Sequence, residues 1–228
     1  MKKLFYTTIT SLLLTTAIFS QKMKNNIQFS VKPFTANATV ATDFNWGTGI
    51  YAKLTTDLAL KEYAKKFDDY DLMEIVDKVK YGSYLSFYVC PKTEVMGQRS
   101  WKEIKLVLTP EQLEKNTFEF DVMPLKTEAS SFFKTGFYTE LAKSSLIQYD
   151  ASEGTSKGEK IEFDIYLFER PNKMSEDIDN ERVFNFGVYI HLGKLIIDYT
   201  TVKDTREVLD WSGKCQEIME SIQTKYKK

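Results

Sequence analysis

The chain has 228 residues, 31 of them basic and 32 acidic, with a single histidine. That length is enough to bury a real core in one β domain or two small ones. Charges this evenly interspersed argue against nucleic-acid binding, which needs clustered Lys and Arg, and one histidine excludes a His-rich metal site.

At the start, Lys2 and Lys3 precede an apolar, Thr-rich run from Leu4 to Phe19, then small Ser20 and polar Gln21 and Lys22. This is the pattern of a secretory signal peptide over residues 1–20. It predicts an exported protein, periplasmic or extracellular, with residues 21–228 as one β-rich domain. The run is short for a bilayer span of ~20 apolar residues, and no later stretch is apolar enough to span a membrane as a helix. Taking Lys2 and Lys3 from the 31 basic residues leaves 29 against 32 acidic, a net charge of −3. Cys90 and Cys215 form an even pair, which export makes candidate disulfide partners, with two buried free thiols as the alternative.

The mature chain then reads mostly as strands. Ile27, Phe29 and Val31 alternate with polar residues, and Pro33 suits an edge strand or a strand end. Gly47 and Gly49 mark a turn beside Trp46. Trp46 is a candidate binding-surface residue, although large apolar side chains are usually core. Ile50, Ala52 and Leu54 alternate as a second strand. Residues 61–80 turn charged, with Tyr63, Phe67 and Tyr70 at helical spacing; Asp68, Asp69 and Asp71 lack the glycine and register of a calcium loop.

Residues 82–91 form a clear strand, with Leu85, Phe87 and Val89 on one face and Tyr84, Ser86, Tyr88 and Cys90 on the other. Ile104, Leu106 and Leu108 predict the next strand, Thr109-Pro110 a capped helical turn, and Phe118, Phe120 and Val122 a further strand. These last two strands are expected to pair as a hairpin. Spacing around Phe137 and Leu141 predicts a crossover helix. A polar loop at 150–160 leads to a strand with Ile161, Phe163, Ile165 and Leu167 inward.

The densest strand signal is Val183–Thr200, where Phe184, Phe186, Val188, Ile190 and Leu192 alternate with Asn185, Gly187, Tyr189 and His191. A helix over 204–228 follows. Asp204 is its N-cap, Glu207 completes a capping box, and Val208, Trp211, Cys215, Ile218, Ile222 and Tyr226 make an apolar stripe.

The expected fold is mainly β, an antiparallel sandwich-like domain of seven to nine strands in line with its size. A crossover helix and a C-terminal covering helix complete it. An outer-membrane barrel fits worse, because polar and helical insertions interrupt the strands. No G-x-S-x-G elbow, phosphate-binding loop or C-x-x-C motif occurs, so no cofactor is expected. Glu119, Asp121, Glu162, Asp164 and Asp198 leave a carboxylate-dependent glycoside hydrolase as an alternative. A subunit that assembles through its C-terminal helix is another. The preferred reading is non-enzymatic: a cell-envelope protein that binds a protein or carbohydrate ligand. Its candidate surface is the second faces of the strands, with Tyr84, Tyr88, Tyr166, Phe168, Tyr189 and Tyr199.

Overall fold

The computed structural model describes residues 24–34, 37–66, 83–92, 102–124, 132–133, 136–142, 159–171 and 187–226. The segment expected to be a signal peptide, the acidic run Asp68–Asp71, the polar loop expected at 150–158 and the alternating Phe184 and Phe186 lie outside the described residues.

The protein is β-rich, with antiparallel sheets that curl into a half-barrel and a C-terminal helix. Ten strands occur among the described residues. They are β1 (Asn26–Ser30), β2 (Asp43–Asn45), β3 (Ile50–Thr55), β4 (Lys65–Lys66), β5 (Ser83–Pro91), β6 (Lys102–Val107), β7 (Thr117–Met123), β8 (Phe132–Phe133), β9 (Lys160–Pro171) and β10 (Gly187–Asp198). A capped helical turn, α1 (Pro110–Leu113), precedes β7; a helical stretch at 137–142, α2, follows β8; and α3 (Thr205–Tyr226) ends the chain.

Two sheets carry the fold. The smaller has the order β1-β3-β7, and the larger β2-β10-β9-β5-β6-β8, with β4 also paired to β5. Every pairing is antiparallel except the short parallel match of β2 with β10. Residues 41–45 join the sheets: Ala41 donates its N–H to the Phe29 carbonyl at 2.9 Å, and Ile196 donates to Thr42 at 2.7 Å. The result is one curled surface rather than two independent layers.

Alternation built this as the sequence predicts. Ile50, Ala52 and Leu54 of β3 are fully buried, as are Phe163, Ile165 and Leu167 of β9. The inner face closes on three rings: Phe87 of β5, Phe120 of β7 and Phe137 of α2, with centroids 5.6–5.8 Å apart. α1 is capped as expected: Gln112 donates its N–H to Thr109 Oγ1 at 3.1 Å, and Thr109 donates its N–H to Gln112 Oε1 at 2.8 Å.

The expected hairpin between residues 101–109 and 117–125 does not form. β7 pairs with β3, while β6 pairs with β5 and β8. The loop around α1 decides this, because Thr56 and Leu60 donate their N–H groups to Asn116 and Lys115 at 2.8 Å each and draw β7 to the end of β3. β1 is the edge strand that the sequence predicts: it ends the small sheet, with a single bridge from Phe29 to Ala41 on its second side.

β10 carries the main irregularity. Its register against β9 shifts between Val188 and Tyr189, and again between His191 and Gly193. The second shift changes the phase of the inward set from Ile190 to Leu195 and Ile197. Gly193 takes φ +157°, and a Cβ there would lie 3.4 Å from both the Ile27 carbonyl and the Ile27 side chain. That distance is ordinary van der Waals contact, so it is the positive φ rather than the space that favours glycine at this bulge.

α3 starts at the predicted cap: Glu207 donates its N–H to Asp204 Oδ1 at 3.1 Å. The Glu207 carboxylate accepts from the Lys203 N–H at 3.2 Å, one residue before the cap, so the box closes in a shifted form. Val208 and Cys215 are fully buried, with Trp211 and Ile218 packed on the core. The Cys215 thiol donates to the Pro124 carbonyl at 3.7 Å, just past β7, and α3 also meets β8. The helix therefore lies against β8 and the residue that follows β7.

Candidate functional site

The two faces of β5, β9 and β10 differ. Their inner side chains form the core. On the outer face, strand register sets Glu103 of β6, Tyr88 of β5, Tyr166 of β9 and His191 of β10 in one row across four strands. Three strand steps of about 4.8 Å make that row roughly 14 Å long. Phe168 and Tyr189 pair in the neighbouring row.

The rings touch at defined angles. Tyr88 meets Tyr189 edge-on at 5.0 Å, Phe168 meets Tyr189 edge-on at 5.6 Å, and Tyr166 meets His191 at 5.1 Å. Edge-to-face pairs of this kind are favoured by the ring quadrupole. Tyr88, Tyr166, Phe168 and Tyr189 are half-buried, and His191 is exposed.

Charged groups are interleaved with the rings. Lys65 Nζ lies 3.5 Å from the Phe168 centroid and 3.5 Å from Glu103 Oε1. Burial pulls its ammonium below the usual lysine range, and Glu103 partly restores it. Glu103 also accepts a short hydrogen bond from Ser86. Burial pushes the Tyr88 phenol above its ordinary range, and the Glu103 charge adds to the effect. Lys105 Nζ stands 4.9 Å from the Tyr84 ring. Farther along β9, Glu162 pairs with Lys92 and, at 3.5 Å, with Lys194.

His191 Nε2 lies 3.2 Å from Oδ1 of Asp164, a buried carboxylate on β9. This fixes the ring and turns Nδ1 away from the aspartate. The pair resembles half of a nucleophile-activating triad, yet among the described residues no serine, threonine or cysteine hydrogen-bonds to His191. Sequence reasoning placed His191 on this face but missed its partner, which is 27 residues away and brought alongside by the β9–β10 register.

The other candidates divide. Tyr88, Tyr166 and Tyr189 lie on the outer face as expected. Tyr84 shares that face but is buried, at 7 % exposure. Trp46 is core, stacked on Tyr199 at 5.1 Å where the Gly47 turn meets Trp211. Its indole N–H is buried without a hydrogen-bond partner. Tyr199 is also a correction: it leaves β10 into the core and donates its hydroxyl to the Leu141 carbonyl at 2.8 Å. Cys90 and Cys215 are free thiols, both buried, on β5 and α3. Each turns its sulfur to a different backbone carbonyl, of Pro91 and of Pro124, so no bridge joins them. Burial raises the Cys215 thiol to about 12, which keeps it protonated and unreactive.

The strand carboxylates are divided between the sheets. Glu119 pairs with Lys53 at 3.8 Å on the small sheet, and Asp198 with Lys160 at 3.3 Å at the far end of the large one. Lys92 holds the Glu162 carboxyl below its usual range, and Thr200 does the same for Asp198. A glycosidase acid needs the opposite shift. Among the described residues no cluster of three His, Cys, Asp or Glu could hold a metal ion, and no helix is long and apolar enough to cross a membrane. No family model, curated protein or solved structure matches this chain.

Proposed function

We propose that this is an exported, non-enzymatic binding protein of the cell envelope that contacts its ligand through the outer face of β6, β5, β9 and β10. The observation that carries the reading is the row Glu103–Tyr88–Tyr166–His191, which leaves large rings half-open to solvent across four paired strands. Half-open aromatic rings beside polar groups supply large contact area at small entropic cost, which suits a contact surface. Strands hold such a surface more precisely than loops do. Export rests on Lys2, Lys3 and the apolar run that follows them. α3 spends Val208, Trp211 and Cys215 on its own core, which weighs against assembly through that stripe.

Covalent tyrosine labelling of the purified protein tests the reading. Tyr88, Tyr166 and Tyr189 should react well ahead of Tyr63 and Tyr199, which are core residues. Protection of the first three to the level of Tyr199 would remove the surface on which the reading stands.

A further inference from the structure

We propose, resting on that reading, that the ligand of the outer face is a neutral oligosaccharide chain lying across β6, β5, β9 and β10. Three features of the face select this chemistry.

The first is shape. The row is roughly 14 Å long by strand spacing, with Tyr88 and Tyr166 paired directly across β5 and β9. A pyranose presents an apolar C–H face to an aromatic ring and hydroxyls at its rim. Polar groups should therefore flank the rings, and Glu103, Asp164 and His191 do so.

The second is charge. Lys65 answers Glu103 at 3.5 Å, Lys194 answers Glu162 at 3.5 Å beside Lys92, and His191 lies 3.2 Å from Asp164. Among the described residues, three lysines and three carboxylates thus offset one another within the face, and Lys105 over Tyr84 leaves an excess of a single positive charge. A polyanion would need a larger excess of positive charge there.

The third is where the charges sit. A protein interface keeps charged residues out of its buried centre and places them on the rim. Here Lys65 lies over Phe168 and Asp164 lies next to Tyr166 on β9, inside the aromatic patch. A protein partner would strip the remaining water from Lys65, Glu103 and His191 at a net cost, whereas sugar hydroxyls can replace that water.

The test is calorimetric titration of the purified protein with cellohexaose, maltohexaose and N-acetylchitohexaose, with heparin as the charged comparison. At least one neutral hexamer should bind with Kd of roughly 10 μM to 1 mM. Raising the salt from about 0.05 to 0.5 M should change that Kd by less than about twofold, because no ion pair with the ligand is screened. Tyr166→Ala should weaken binding by about tenfold or more, while Tyr166→Phe, which keeps the ring, should stay within about threefold. If Tyr166→Ala does not fold, His191→Ala alters an exposed side chain of the same row and should weaken binding by at least about threefold. Binding of heparin alone, a steep salt dependence, or no binding by any neutral hexamer would each overturn the inference. If the hexamers fail while Tyr88, Tyr166 and Tyr189 label readily, the binding face stands and only the sugar is lost; if those tyrosines are protected, both fall.

Discussion

On the inner face of β5, Phe87 meets Phe120 at 5.6 Å and Phe137 at 5.8 Å, and it is fully buried. On the outer face, one residue along, Tyr88 meets Tyr189 at 5.0 Å and stays half-open. Ring contacts alone do not distinguish these two regions. What does is the company: the inner rings pack within the buried apolar cluster, whereas the outer rings alternate with Lys65, Glu103, Asp164 and His191. The inner face is where stability resides, and the outer face keeps its polar groups matched at little gain in stability.

Substitution on the inner side should have the largest effect. Phe87→Ala removes the ring shared by β5, β7 and α2 and should cost about 3–5 kcal/mol. Urea unfolding followed by far-UV circular dichroism should show this as a lower midpoint at unchanged slope. A loss below about 1 kcal/mol would mean that the three-ring cluster is not what joins the sheets.

Gly193→Ala comes next, because it acts where the small sheet crosses the large one. The positive φ predicts a loss of about 1–3 kcal/mol. His191 lies beside the same bulge, so the variant should also move the imidazole resonances in an NMR spectrum. Unchanged stability would show that β10 absorbs the side chain by slipping its register.

That bulge also marks where the sequence stops being legible. Alternation shows the inward set of β3, β5 and β9 residue by residue, because β3 and β5 keep one phase and β9 keeps it up to its bulge at Glu169. In β10 the alternation of Val188, Ile190 and Leu192 gives way to Leu195 and Ile197, and only the pairing with β9 shows the intervening bulge. Local spacing does not say which strand pairs with which, so β7 looked like the partner of β6 when hydrogen bonds near Asn116 assign it to β3. β2 has three residues, too few to show a period. For the candidate site, the sequence identifies the face of Tyr88, Tyr166 and Tyr189. Their charged neighbours come from register, and Tyr199 leaves the face because the bulge puts it in phase with the inward Leu195 and Ile197.

A smaller effect is expected on the outer side. Tyr189→Ala removes a half-buried ring that touches Tyr88 and Phe168 edge-on, and should cost about 0.5–1.5 kcal/mol. Measured beside Phe87→Ala under the same conditions, it tests the comparison directly. Equal losses would make the outer rings a second core and would remove the reason to treat them as a contact surface.

The smallest effect concerns the charges alone. Lys92, and after it Lys194, hold the Glu162 carboxyl below its usual range. A carboxyl depressed in the folded state stabilises the protein above its unfolded pKa, near 4.3, and loses that contribution as pH falls through the folded value. Glu162→Gln should therefore lower stability at neutral pH and converge on the parent protein in acid. Glu162 is about a quarter exposed, so the difference should be small, about 0.2–1 kcal/mol. Thermal melts at pH 7 and pH 3 should show it, and high salt at pH 7 should shrink it. A difference that persists unchanged at pH 3 would mean that Glu162 acts through packing, and the charge balance assigned to this face would then lack one of its two Lys–Glu clusters.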